Sequence, residues 1–158
     1  MGSTLALGPI EAALLERLRG LVALTARLAD AHDGQAGVYD EVPQATPRER
    51  RYPYVRVGDG GQSETPFDAF GPPTALKWGS ICRVPVRMVS RFRGNAEAYE
   101  LMDVIKTNLD GQPLAVAGYG SVIVQCASTQ MIPGELVGGV VTRELVSDFE
   151  FTVSQRGL

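Results

Sequence analysis

Side chains able to perform nucleophilic catalysis are few in this sequence, and none is placed beside a base. A serine or cysteine nucleophile needs a neighbouring base such as histidine. His32 is the only histidine, and it follows the first predicted helix, a position that favours a surface or capping role. Cys82 and Cys126 lie on the apolar side of predicted strands, which favours buried and inert thiols. We therefore predict no catalytic residue and no enzymatic activity.

Ligands for a metal ion or a phosphate group are equally sparse. With one histidine and no C-x-x-C pair, the sequence lacks the spacing of a zinc site. Gly58, Gly60 and Gly61 do not fit the phosphate-binding patterns, which require glycines at fixed spacing before a helix. Asp148 and Glu150 share one face of a predicted strand, where exposure to solvent explains both acids without catalysis. We therefore expect no bound metal and no cofactor.

Charged side chains are segregated on two predicted strands. One strand presents three arginines on a single face, namely Arg83, Arg87 and Arg91. The last strand presents three acids on its polar face, namely Glu144, Asp148 and Glu150. Opposite charges on neighbouring strands stabilise a sheet by roughly 0.2–1 kcal/mol per pair. Two interpretations follow: a solvated sheet face, or charged faces that meet across a subunit boundary, where partial desolvation increases specificity.

The stretch 58–79 combines irregular sequence with the aromatic residues Phe67, Phe70 and Trp78. We predict one long loop there, because five glycines and three prolines interrupt any regular periodicity. A long loop with aromatic side chains is rarely a passive connector. It either folds over its own core or forms a contact surface for another subunit, where aromatic residues are enriched.

Apolar residues at helical spacing predict two helical regions. The first begins near Pro9, and its apolar stripe consists of Ile10, Leu14, Leu18, Leu21 and Leu28. Gly20 is either tolerated inside this helix or divides it into two shorter ones. The second region begins after Asn95, a good N-cap, and ends at Asp110-Gly111. We expect both regions to bury their apolar faces against a sheet.

Alternating apolar residues predict the strands of that sheet, at 38–42, 52–57, 81–92, 114–116, 121–127 and 137–154. Pro133-Gly134 is predicted to form the turn before the last strand. Strands follow one another without obligatory helical crossovers. We therefore predict an α+β fold with a mainly antiparallel sheet packed against two or three helices.

Length and composition predict a single domain at 1–158, with residues 1–8 flexible. The apolar content of 44% is enough for a real core. A net charge of −3 disfavours general binding to duplex DNA, which depends on neutralisation of phosphates. No segment reaches about 18 consecutive apolar residues, so we expect no membrane span. Two cysteines without a disulfide framework fit synthesis in a reducing cytoplasm.

Five short motifs, in this order and spacing, give the chain a familiar appearance: 38–44 (VYDEVPQ), 52–55 (YPYV), 64–68 (ETPFD), 89–98 (VSRFRGNAEA) and 143–149 (RELVSDF). Over roughly residues 9–154 the sequence resembles the tail-completion, or tail terminator, family of siphophages and related gene-transfer particles. The departures from the family pattern are a longer 58–79 loop and a fairly long turn at 129–140. These departures concern the docking surfaces and not the class of protein.

This resemblance implies a structural virion protein that forms a homohexameric ring. In the family, the ring caps the finished tail tube, ends its growth and meets the head-tail connector, while DNA passes through the lumen without specific binding. No member of this kind needs a catalytic residue or a cofactor. Assembly in the bacterial cytoplasm and a place at the head-proximal end of the tail are implied as well. The aromatic loop and the long last strand are the candidate interfaces.

Three other readings remain open at this point. A head-completion or stopper protein of the connector has similar ring stoichiometry, and binding to tail tubes or to portal complexes distinguishes the two. A small host enzyme or ligand-binding domain would need a deep pocket with convergent polar groups. A generic interaction module would stay monomeric.

Overall fold

The computed structural model describes residues 5–28, 36–40, 52–58, 60–68, 78–91, 95–137 and 140–155. Within these residues the helices are α1 (Leu7–Arg19), α2 (Val22–Thr25) and α3 (Ala96–Leu109). The strands are β1 (Val38–Tyr39), β2 (Tyr54–Val57), β3 (Ser63–Asp68), β4 (Trp78–Ser90), β5 (Tyr119–Val137) and β6 (Val140–Gln155). The predicted α+β class, with two or three helices on a mainly antiparallel sheet, is confirmed.

The first helical region is divided at Gly20, as one of the two alternatives predicts. α1 ends at Arg19, Leu21 has an extended backbone, and the short α2 begins at Val22. Glycine weakens a helix interior because it loses more backbone entropy than any other residue. α1 begins at Leu7, two residues before the predicted start, and Ala6 is fully buried. Residues 7 and 8 are thus helical, residues 1–4 lie outside the described part, and the flexibility of 1–8 stays a prediction.

The sheet has the strand order β1-β2-β4-β6-β5, and β3 pairs with the first half of β4 beside β2. The neighbours pair antiparallel except β1 and β2, which are parallel. The strands β4 and β6 pair over twelve residues, from Gly79 opposite Ser154 to Ser90 opposite Arg143. This central ladder fixes which side chains of the two strands share a face.

One face of the sheet packs against the helices and forms the core. Its members on β4 are the alternating residues Cys82, Val84, Val86 and Met88, as predicted. Those on β6 are Leu145, Phe149, Phe151 and Val153, also as predicted. The helix α3 contributes its 3–4 spaced stripe Ala98, Leu101, Met102, Ile105 and Leu109. Both periodicities were readable from the sequence because these residues of β4 and α3 are the ones that face the core.

The last two strands form one long hairpin, which corrects two predictions. β5 runs through Pro133 and Gly134 to Val137, with a register shift between Ile132 and Glu135, so the predicted turn is wrong. An edge strand tolerates proline, because a missing N–H on the open side breaks no ladder bond. Residues 114–116 form no strand either. Instead, the Leu114 N–H donates a hydrogen bond to the Val122 carbonyl oxygen.

The prediction of one long loop at 58–79 is also wrong in part. Residues 63–68 form β3, and Trp78 is the first residue of β4. Pro66 is accommodated because β3 is an edge strand that pairs only with β4 in the described sheet. The two strands pair antiparallel, with Asp68 opposite Trp78. Residues 59 and 69–77 lie outside the described part.

The second helical region has the predicted limits. Asn95 stands at the N-cap of α3 but makes no side-chain cap bond, and its Oδ1 accepts a hydrogen bond from Arg143 at 3.1 Å instead. After Asp110, Gly111 adopts a φ of 70°, the left-handed conformation that commonly follows a helix. Across the described residues, no helix has the length and apolar character needed to cross a membrane.

Candidate protein-binding surfaces

The face of the sheet opposite the helices, here called the outer face, carries the predicted charged residues. Arg83 and Glu150 lie directly opposite each other on β4 and β6, and an Arg83 nitrogen donates to Glu150 Oε2 at 3.1 Å. Asp148 accepts a hydrogen bond from the Ser128 hydroxyl at 3.3 Å. These contacts are made within one chain, as expected for a charged sheet face. A role of Arg83, Asp148 and Glu150 at a subunit boundary remains a prediction.

Arg87 is less well accommodated on the same face. Its ion-pair partner among the described residues is Glu144, diagonally across the ladder at 3.6 Å, which is an ion pair but not a hydrogen bond. The side chain of Arg87 is only 22% exposed, and its Nε is buried with no acceptor in the described part of the chain. Arg56 lies directly opposite Arg87 on β2. A mostly desolvated guanidinium with incomplete acceptors is unfavourable unless a further acceptor covers it.

Arg91 follows the end of β4 beside a small aromatic cluster. Its guanidinium carbon lies 5.6 Å from the centroid of the Tyr52 ring, within the range of cation–π attraction. The neighbouring ring of Tyr54 lies 5.4 Å from that of Tyr52, and Tyr54 packs with Tyr39 and Val89. Arg87 and Arg91 therefore place two cations near the same end of the outer face.

The predicted aromatic contact residues fall mostly beyond the described part. Phe67 lies on β3 opposite Gly79, and Trp78 begins β4, but neither side chain is among those described. Phe70 lies wholly outside the described residues. Their role at an interface stays a prediction.

Glu64 is an important residue that the sequence did not reveal. It lies on β3 opposite Cys82, on the helix side of the sheet. Its Oε1 accepts hydrogen bonds from the backbone N–H groups of Ala6 at 2.8 Å and Leu7 at 3.1 Å, and its Oε2 accepts one from the Ser80 hydroxyl at 3.2 Å. A carboxylate at this place satisfies N–H groups that the first turn of α1 leaves unpaired. Alanine at the N-cap was the one available signal, because it offers no acceptor of its own.

The surroundings of Glu64 make the nearby thiol inert. Burial, with the negative charge and hydrogen bond of Glu64 added, raises the pKa of Cys82 to about 12. Burial and the charge of Glu64 also raise the pKa of Tyr119. A thiol that stays protonated at neutral pH is a poor nucleophile. No group of three or more potential metal ligands exists among the described residues.

The hairpin tip, residues 133–137 with 140–142, extends beyond the rest of the sheet. β4 ends at Ser90, opposite Arg143, so among the described residues β6 pairs past that point only with β5. Leu136 and Val141 lie directly opposite each other there and are 69% and 50% exposed. Residues 111–134, which lead into the tip, contain no charged side chain, and Glu135 is the one charged residue of the tip itself. Exposed surface with so few charges is typical of contact between proteins.

A charged open sheet face and an apolar tip are typical of a structural subunit that acts by binding other proteins. A family model described as "Tail completion protein gp17" matches residues 12–134, and the chain belongs to this family. It is thus a structural component of a phage-type tail and of the virion, and the resemblance stated from the motifs is confirmed.

A solved structure supports the fold. A chain from the "Virion of native gene transfer agent (GTA) particle" is similar to this protein with a TM-score of 0.71 and 18% sequence identity. The similarity covers 96% of this chain and 99% of that chain. At this identity the likeness concerns the fold. No curated protein matches the sequence.

Proposed function

We propose that six copies of this protein form a ring that caps the tail tube, ends tube growth and joins the tail to the head connector around the DNA channel. Membership of the tail-completion family over residues 12–134 is the observation that carries the proposal. The partners are further copies of the chain, the tail tube protein and the connector or stopper protein. The role is structural and non-enzymatic.

The surfaces of the subunit support a role in assembly. A ring of identical subunits needs two different complementary surfaces on each copy, because each contact is heterologous. The outer face and the helix layer are two such surfaces, on opposite sides of the sheet. The hairpin tip adds a third surface that extends past the body, as required for reaching a neighbouring component. Phe67, Phe70 and Trp78 are further proposed contact residues.

The net charge of the chain fits a channel that DNA passes without being held. The chain as a whole carries a formal net charge of −3. Phosphate binding requires an excess of cations, which this balance does not provide. We propose that DNA moves through the ring without specific contacts.

The test is a tube-growth experiment with purified components. Tail tube protein is polymerised with and without this protein, and tube lengths and tube ends are measured by negative-stain microscopy. We expect shorter tubes, each closed at one end by an annulus of about 100 kDa, six times the 16.9 kDa subunit. Unchanged tube lengths with no bound annulus would contradict the proposal. Binding to portal complexes but not to tubes would favour a stopper protein of the connector.

A further inference from the structure

We infer that neighbouring copies of the chain dock with the outer face of one copy against the solvent side of α3 of the next, and that Arg87 and Arg91 meet the acidic side of that helix at Asp103. This inference rests on the proposed self-association. It names an interface between copies that differs from the charge pairs predicted from the sequence, because Glu150 and Glu144 already pair with arginines of their own chain and Asp148 accepts a hydrogen bond from Ser128.

Arg87 has an incomplete set of hydrogen-bond acceptors. Arg83 has a hydrogen-bonded carboxylate at 3.1 Å, whereas Arg87 has only a 3.6 Å ion pair and a buried Nε without an acceptor among the described residues. Arg91 is exposed and follows Val89 of the aromatic cluster by two positions. It adds a second cation beside Arg87. The Nε of Arg87 is covered by its own chain, so an acidic side chain from outside would reach the terminal nitrogens of Arg87, whose side chain is 22% exposed, and the exposed guanidinium group of Arg91.

A complementary surface lies on the other side of the subunit. Five residues of α3 are exposed on its solvent side, namely Ala96, Tyr99, Glu100, Asp103 and Thr107, and Asp110 is exposed just after the helix ends. Glu100 is paired with Arg27 at 2.9 Å, and the Asp110 carboxylate accepts a bond from the Cys126 N–H. Asp103 has no ion pair within the described ranges. Tyr99 is 49% exposed beside it, an aromatic contact residue of the kind enriched at interfaces.

The occupant is a second copy of the chain because the two surfaces lie on opposite sides of one sheet. α3 packs on the core face through Leu101 and Ile105, and the outer face points away from it. Docking the outer face of one copy on the helix layer of the next repeats head to tail, and such an arrangement closes into a ring where the rotation between copies allows it. DNA is the other anionic candidate, but a chain with a net charge of −3 does not provide the excess of cations that binding to phosphates requires.

The test is a charge exchange between two exposed residues, which avoids disturbing the core. Arg91→Glu and Asp103→Lys are made singly and together, with Glu16→Lys on the solvent side of α1 as the matched control. Thermal unfolding verifies that every variant is folded. Association is measured by sedimentation, alone and on tail tubes, because tubes promote a ring that does not close unaided. Binding of a labelled DNA duplex is measured in parallel.

We expect each single reversal to weaken association by about tenfold or more, because like charges then meet at the interface. The double exchange should restore most of the loss, and Glu16→Lys should behave like the parent protein. Unchanged association of the single variants, no recovery in the double variant, or an equal effect of Glu16→Lys would overturn the inference. So would loss of DNA binding on Arg91→Glu with self-association unchanged.

The proposed function is tested separately by tube capping with the parent protein. If the parent caps tubes and both single variants still form rings, the interface is wrong and the function stands. If association follows the charge exchange but tubes are not capped, the interface stands and the function is wrong. A parent protein that stays monomeric both alone and on tubes would contradict both.

Discussion

The body and the tip of the β5–β6 hairpin consist of the same two strands but have opposite environments. In the body, Leu145 is 2% exposed and Phe149 is fully buried, because the helices cover that face. At the tip, Leu136 and Val141 share one side of the same ladder and stay exposed. An apolar residue in a strand therefore belongs to the core only where a second layer covers it. Uncovered apolar residues are available to another subunit.

The largest expected effect is a difference in stability when leucine is replaced by alanine in the body and at the tip. Leu145→Ala should lower the free energy of unfolding by about 2–5 kcal/mol, because it removes buried methyl groups and leaves a cavity. Leu136→Ala should change it by less than about 0.5 kcal/mol, because that side chain is already in solvent. Urea unfolding of both variants measures the difference. Equal losses would show that the tip is covered within the monomer and would remove the contrast.

A second effect concerns the hydrogen bonds between Glu64 of β3 and the first turn of α1. Glu64→Ala should destabilise the fold by about 1–2 kcal/mol, because two backbone N–H groups of α1 and the Ser80 hydroxyl lose their acceptor. Glu100→Ala is the matched control, since it removes only an exposed ion pair with Arg27 worth less than about 1 kcal/mol. Chemical denaturation compares the two. A Glu64 variant no weaker than the control would mean that the first turn of α1 is satisfied by solvent.

A third effect lies at the boundary between body and tip. Arg143 is the last β6 residue paired with β4, and its hydrogen bond to Asn95 ties the base of the tip to α3. Arg143→Met keeps the unbranched stem of the side chain and removes the bond, which should lower stability by about 0.5–1.5 kcal/mol. Hydrogen exchange should rise at the N–H groups of 140–142 more than in the body. Uniform exchange changes along the hairpin would mean that tip and body open together.

Most of the secondary structure of the body was predictable from the sequence, because its buried residues recur with the period of a strand or of a helix. The alternation from Cys82 to Met88 and the helical spacing from Ala98 to Leu109 each identify one buried side. The limits of the hairpin were not predictable. Pro133 and Gly134 are typical turn residues, yet they stand at a register shift on an edge strand, where neither disturbs a ladder.

The binding surfaces were only partly predictable, for a different physical reason. Arginines and acids on complementary strands were visible in the sequence, but register decides that Arg83 meets Glu150 directly while Arg87 meets Glu144 only diagonally. The role of Glu64 depends on contacts 57 and 58 residues distant along the chain. The exposure of Leu136 depends on where β4 ends, which local sequence does not specify.

The smallest effect at neutral pH involves the thiol of Cys82, which lies in the body opposite Phe151. The pKa of Cys82 is raised from its ordinary value of 9.0 to about 12, mainly by burial and further by Glu64. Above pH 9.0 the unfolded chain therefore releases this proton while the folded chain retains it, so stability falls as pH rises toward 12 and is unaffected below 9.0. Cys82→Ala should show a shallower decline than the parent over that window, measured by urea unfolding at several pH values. Parallel declines in the two proteins would show that the folded body does not keep this thiol protonated. The contrast between the buried body and the exposed tip would then not apply to the ionisation of Cys82.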